Sequence, residues 1–358
     1  MSTATDAGVA RGTHVWRGHA THYARAGRAD AATHVVFLPG FGVGTFHYEA
    51  QLAVGALGRD ACAWSVDFVG QGRSWPTDDA SLEGFSYSVD TWRDQVEDFL
   101  RNVVGREAYV AGNSLGGFVA TYLAATEASR SAAEGGGLVK GLILMNATPF
   151  WAFVPADENS LGYKLAPWRG ALPVPRWIRA PIKAYWESFR SAANVRGLLS
   201  LVYANKGAID EELVDKIIEP TENPNALCTF CSVVWSPKSS MSFDDMTRAI
   251  RDANLPVALV YGREDPWVVP LWGQRLKRAI PSADYYELSP AGHCPAHECP
   301  ETTNSVIARW LEHRESGRAS AGAPPPSGSA DGLAKLIDGS PRNIFERIDS
   351  YRASRSTR

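Results

Sequence analysis

The chain has 358 residues, 45% apolar, 10% aromatic and 21% charged, and its 36 basic and 39 acidic side chains leave a formal charge of −3. That length buries a large core in one large or two modest domains. The near-neutral balance offers no footprint for wrapping nucleic acid, and no uninterrupted apolar run approaches the ~20 residues that span a bilayer.

Residues 1–10 combine no basic region with an apolar core, so no secretory signal is expected there. Residues 11–28 carry four arginines and no acid, faintly like the end of an organelle transit segment. Residues 1–30 are read as an extension ahead of the core. His34–Leu38 and Cys62–Phe68 are short apolar runs ending in Pro39-Gly40 and Gly70-Gln71-Gly72, as buried strands do. Ser88–Val103 places Val89, Trp92, Val96, Phe99, Leu100 and Val103 on one helical face. Ala108–Ala111 enters the turn Gly112-Asn113-Ser114-Leu115-Gly116-Gly117, and residues 115–126 read as a helix. Leu142–Asn146, Pro256–Tyr261 and Tyr285–Leu288 are further strands. Alternating apolar strands and helices predict a mostly parallel sheet covered on both faces, with a core over 31–147 and 246–315.

Residues 148–245 break this rhythm. They hold 9 of the 22 prolines and the tryptophans Trp151, Trp168, Trp177, Trp186 and Trp235. An insert of that size between strands is expected to be functional, and it reads as a helical cap. Residues 316–358 read as a flexible linker and a basic tail. Pro324-Pro325-Pro326 marks the linker; Leu333, Leu336, Ile337, Ile344, Ile348 and Tyr351 recur at helical spacing in the tail.

The chemistry centres on Gly112-Asn113-Ser114-Leu115-Gly116, a G-x-S-x-G between a predicted strand and a predicted helix. The sharp turn forces the serine into a strained backbone conformation and raises its hydroxyl at the start of a helix, where the Leu115 N–H faces a developing oxyanion. A serine needs a base and an orienting acid. His293 follows the last predicted strand, and Asp265 lies four residues beyond Tyr261. The order Ser114, Asp265, His293 is that of α/β-hydrolases. Glu264 is the rival for the acid; Asp265 is preferred, leaving Glu264 to pair with Arg263. The glycine-rich loop Leu38–Gly44 supplies the second oxyanion donor, expected to be the Phe41 N–H. That loop lacks the endings and spacings of a phosphate or dinucleotide cradle.

The odd count of cysteines, Cys62, Cys228, Cys231, Cys294 and Cys299, gives no disulfide framework. Cys228 and Cys231 lack the setting of a redox motif, and His293, Cys294, His297 and Cys299 lack a second knuckle at zinc spacing. Ester hydrolysis by a triad needs no metal or organic cofactor.

LPGFGVGTFHYE (38–49), VDFVGQGRSWP (66–76), AGNSLGGFVA (111–120), MNATPFW (145–151), YGREDPWVVPLWG (261–273) and SPAGHCP (289–295) resemble the pheophytinases, α/β-hydrolases of plants and green algae, from about residue 30 to 315. The resemblance implies an esterase that removes phytol from pheophytin during chlorophyll breakdown in the plastid, in the stroma or peripheral on the thylakoid, alongside other enzymes of that breakdown. It implies Ser114 as nucleophile, His293 as base and Asp265 as acid. An aromatic cap over such a triad fits a flat pigment with a long isoprenoid chain. Phe150, Trp151 and Phe153, just after the strand ending near Asn146, are the expected substrate wall. Competing readings are a chlorophyll dephytylase, another carboxylesterase or C–C hydrolase, and a hydrolase-fold ligand receptor. Haloalkane dehalogenases and epoxide hydrolases are excluded, because they carry a carboxylate where this chain has Ser114.

Overall fold

A computed structural model describes residues 3–6, 8–76, 85–134, 137–149, 161–164, 174–317, 329 and 331–337. Among them, the strands β1 Thr3–Asp6, β2 Val9–Trp16, β3 His19–Ala26, β4 Thr33–Leu38, β5 Ala61–Val66, β6 Ala108–Asn113, β7 Val139–Met145, β8 Val257–Gly262, β9 Asp284–Ser289 and β10 Leu333–Ile337 build one sheet. Its order is β1-β2-β3-β5-β4-β6-β7-β8-β9-β10. From β5 to β9 all neighbours are parallel, while β1–β3 and β10 add on antiparallel at the two edges.

The helices are α1 Val89–Phe99, α2 Leu115–Glu134, α3 Leu161–Lys164, α4 Arg176–Phe189, α5 Ala192–Val202, α6 Glu211–Ile218, α7 Ala226–Val234, α8 Phe243–Asp252, α9 Pro270–Ala279, α10 Pro295–Glu298 and α11 Pro300–Glu315. Successive strand residues pack to opposite faces. Val36, Leu38, Val110 and Leu144 join Trp92 of α1 and Phe118 of α2 on one side. Val35, Phe37, Ala111 and Ile143 join Trp310 and Leu311 of α11 on the other. Burial on both faces explains why these strands read as unbroken apolar runs.

Residues 1–30 are more than an extension. β2 and β3 pair through the two-residue turn Arg17-Gly18, both at positive φ (49° and 83°), and β3 continues onto β5. β2 is half-exposed along most of its length, so its apolar alternation is too weak to mark it as a strand. Leu333, Leu336 and Ile337, read at helical spacing, instead form β10, running from exposed Leu333 to buried Ile337. Three apolar positions over five residues fit either period, and the open edge of β9 offers a backbone ladder that decides between them. Asp331 pins the strand's start by accepting from the Glu301 and Thr302 N–H groups at the opening of α11, at 2.7 and 3.0 Å. Ile344, Ile348 and Tyr351 lie outside the described residues.

Helices α3–α8 interrupt the chain between β7 and β8. α8 packs on α2, with Met246 and Ile250 in the core below the sheet. Residues of α4, α5 and α6 line the cavity above Ser114, at the carboxyl ends of the parallel strands.

Candidate active site

Ser114 follows β6 and precedes α2 with φ 52°, a left-handed conformation that a residue with a side chain adopts only under constraint. Its N–H donates to Met145 O at 3.2 Å, and its carbonyl accepts from Phe118 N–H at 3.1 Å and Thr148 N–H at 3.2 Å. The turn is tight enough to demand glycine around it. A methyl on Gly116 would sit 2.1 Å from Leu38 O, and one on Gly112 would sit 2.4 Å from the Gly116 carbonyl. Leu115, the first residue of α2, has one of the N–H groups that a helix leaves without an intrahelical partner.

His293 and Ser114 line the same cavity. The imidazole Nδ1 lies 2.7 Å from Asp265 Oδ2, and both residues are buried. Asp265 is held from every side. Asn146 Nδ2 donates to its Oδ2 at 2.7 Å, and the Trp267 and Val268 N–H groups donate to Oδ1 at 2.8 and 3.1 Å. Burial pushes this carboxyl's pKa up, but His293 and the donated N–H groups outweigh it and hold it below the ordinary value of 3.8. The Asp265 carboxylate is therefore charged beside the imidazole at neutral pH. Trp267 stands edge-on to the imidazole with ring centroids 5.6 Å apart.

Glu264 has a different job from pairing with Arg263. Its carboxylate accepts from Ser289 Oγ at 2.6 Å and Ala291 N–H at 2.9 Å, so it shapes the loop that delivers His293. Glu298, buried, does the same from the other side. It accepts from Ala204, Asn205, Gly292 and Cys294 N–H groups at 2.6–3.1 Å. With His293 N–H donating to Val202 O at 2.9 Å, this ties the histidine loop to the end of α5.

The loop after β4 carries Phe41, the expected second donor, along the cavity wall. It is braced by the loop after β5: Gln71 Oε1 accepts from Gly42 N–H at 2.6 Å, and Asp67 Oδ1 accepts from Thr45 N–H at 2.5 Å. Asn146, Gln71, Asp67 and Glu298 were not singled out from sequence. Asn146 had a signal, an amide residue just after a buried strand; Gln71 and Asp67 are buried polar residues in a loop and Glu298 ends the single turn of α10, with no periodicity to mark them.

The cavity holds about 400 Å³, and Phe41, Phe189, Val195, Leu198, Val202 and Ile217 make it apolar around Ser114 and His293. A smaller chamber of about 100 Å³ shares Phe41, Phe189, Val195 and Ile217 with it and ends on Trp75, Trp186 and Phe230. Phe230 lies 4.9 Å from Trp186, 5.5 Å from Phe189 and 6.3 Å from Phe41, centroid to centroid. This aromatic wall comes from α4, α7 and the first loop. Phe150, Trp151 and Phe153, the expected wall, lie outside the described residues. All five cysteines are buried thiols outside any disulfide, and burial raises the Cys231 thiol to about 12. Among the described residues no group of three or more His, Cys, Asp or Glu side chains is placed to hold a metal ion.

The sequence pattern of the alpha/beta hydrolase family matches residues 35–306, which include Ser114, Asp265 and His293. The chain belongs to that family. Its solved neighbours share the fold. It is 42% identical to the chloroplastic pheophytinase of Arabidopsis thaliana over 83% of its own length, and it spans 65% of the length of that plant protein. A 2-hydroxy-6-oxononadienedioate/2-hydroxy-6-oxononatrienedioate hydrolase of Pseudomonas is 24% identical, over 87% of this chain and 99% of its own. In three dimensions a meta-cleavage product hydrolase of Pseudomonas fluorescens superposes with a TM-score of 0.61 at 19% identity, covering 85% of this chain and 98% of its own.

Proposed function

We propose that this hydrolase cleaves the phytyl ester of pheophytin, releasing pheophorbide and phytol in chlorophyll breakdown, through a Ser114–His293–Asp265 triad. One observation carries the esterase reading. A serine in a left-handed turn shares an apolar cavity with an imidazole whose far nitrogen is held by a buried, ionised carboxylate. The likeness to the Arabidopsis pheophytinase, together with the aromatic chamber, supports the substrate. Its chloroplastic name supports a plastid setting, in the stroma or peripheral on the thylakoid.

In this reading the Ser114 Oγ attacks the ester carbonyl carbon while His293 Nε2 takes its proton. The carbonyl oxygen becomes an oxyanion at the Leu115 and Phe41 N–H groups. Collapse breaks the bond to the phytyl oxygen, which leaves as phytol with the proton from His293. Water, deprotonated by the same nitrogen, then hydrolyses the acyl-enzyme to pheophorbide. Asp265 stays charged throughout and fixes the tautomer.

Incubation with pheophytin a and chlorophyll a in parallel, with the pigments resolved and Ser114→Ala as background, tests this. Continuous release of phytol from pheophytin is expected. Preference for chlorophyll would make the protein a dephytylase. Turnover of short esters alone would make it a general esterase, and no turnover of any ester would leave a ligand-binding role.

A further inference from the structure

The outer face of the cap carries a surface that hydrolysis itself does not use. On α4, Trp177, Ala180, Pro181, Ala184 and Tyr185 recur at helical spacing and are all exposed, while Trp186 on the opposite face is buried. Trp177 is 69% exposed, Tyr185 60% and, on the neighbouring α5, Leu201 65%. Large apolar side chains scattered singly on a surface need no explanation, but a row along one helix with a companion on the next does.

Positive charge gathers beside this face. Residues 176–202 carry Arg176, Arg179, Lys183, Arg190 and Arg196 against Glu187 alone, a net +4 in a chain whose total is −3. Arg190 is paired with Glu187 at 2.7 Å, and Arg196 with Glu211 of α6, whereas Arg176 and Lys183 are exposed and flank the apolar row on one side; Arg179 is half-buried and turned toward Cys231. Aromatic and leucine side chains at the level of basic ones are the composition that binds the headgroup region of an anionic bilayer.

The surface also leads to the serine. A groove of about 410 Å³ between α4 and α5 is lined by Tyr185, Phe189, Leu198 and Leu201. Phe189 and Leu198 also line the cavity that holds Ser114 and His293. Groove and catalytic cavity thus share two side chains in their walls.

We infer that the exposed face of α4 docks on an anionic lipid bilayer, and that the α4–α5 groove is the port through which a lipid-dissolved ester passes Phe189 and Leu198 to reach Ser114. The port rests on the reading of the site as an esterase for a long apolar ester; the docking surface does not. Docking places the mouth against the phase in which such an ester dissolves, so its chain need not cross water.

The test is co-sedimentation of the full chain with vesicles of phosphatidylcholine alone or with added phosphatidylglycerol, beside hydrolysis of soluble p-nitrophenyl butyrate. Wild type should bind the phosphatidylglycerol vesicles preferentially. Arg176→Glu with Lys183→Glu should lower that binding by about tenfold or more and remove the preference. Trp177→Ser should weaken binding to both vesicles by about tenfold. Both variants should hydrolyse the soluble ester at the wild-type kcat/KM, because none of these three side chains lines the groove or the catalytic cavity. Wild-type protein that ignores vesicles, variants that bind like wild type, or a dimer that Trp177→Ser dissociates without any vesicle binding would each overturn the inference. Preferential vesicle binding with no hydrolysis of any ester would uphold the docking surface and tell against the esterase reading instead.

Discussion

At the scale of single residues, the two adjacent acids Glu264 and Asp265 separate cleanly. Asp265 reaches His293 at 2.7 Å, whereas Glu264 is engaged by Ser289 and Ala291. Asp265→Asn should lower kcat by about 10⁴, since the amide would present the imidazole in the wrong tautomer. Glu264→Gln should cost less than about tenfold, because one oxygen remains to accept from the loop. Steady-state rates on a p-nitrophenyl ester check both, and the reverse ranking would move the acid to Glu264. A second residue-scale effect concerns His47, which lines the cavity and accepts or donates at Nε2 to Tyr203 Oη at 2.8 Å. Burial, followed by the neighbouring His297 and His293, holds its pKa well below the ordinary 6.5. The unfolded chain therefore takes up a proton near pH 6.5 that the folded chain refuses. Stability is complete above that pH and is lost as pH falls below it, by up to about 1.4 kcal/mol per pH unit for one histidine. Thermal melts between about pH 7 and about pH 5 should show this loss, and His47→Gln should flatten it.

At the scale of elements, the proposed triad depends on loops fastened to one another as well as on strand ends. Glu298 gathers four backbone N–H groups from the end of α5 and from the histidine loop. Removing that carboxylate leaves buried donors unsatisfied, at about 1–3 kcal/mol each. Glu298→Ala should therefore lower Tm by several degrees and reduce kcat more than it raises KM, as differential scanning fluorimetry and kinetics would reveal. Unchanged kcat would mean that the histidine loop holds its position without α5. The elements themselves were legible in sequence wherever burial was two-sided. β4, β6, β7, β8 and β9 announced themselves as apolar runs, and Ser114, Asp265 and His293 could be placed by their position after such runs. β2 was illegible because one face meets solvent, and β10 because five residues carry too few apolar positions to separate two periods. Gln71 and Glu298 were illegible for another reason. Their roles are long-range hydrogen bonds, which leave no period in the chain.

At the scale of the whole molecule, a parallel sheet brings Ser114, Asp265 and His293 to one edge, and the helices between β7 and β8 roof them with apolar side chains. Phe189 belongs to both chambers under that roof. Phe189→Ala should raise KM for a long-chain or phytyl ester by about tenfold or more while changing KM for a p-nitrophenyl acetate little, since a short acyl group buries no surface there. Equal losses on both substrates, with a lowered Tm, would assign the ring to cap packing alone. Beneath the question of substrate lies the claim that Ser114 is a nucleophile made reactive by His293 and Asp265. Reaction with a fluorophosphonate, followed by intact mass and peptide mapping, tests it most directly. The expected result is one adduct, on the peptide containing Ser114, absent from Ser114→Ala and formed orders of magnitude more slowly by Asp265→Asn. An adduct on another residue, or wild-type and Asp265→Asn proteins labelled at the same rate, would contradict it.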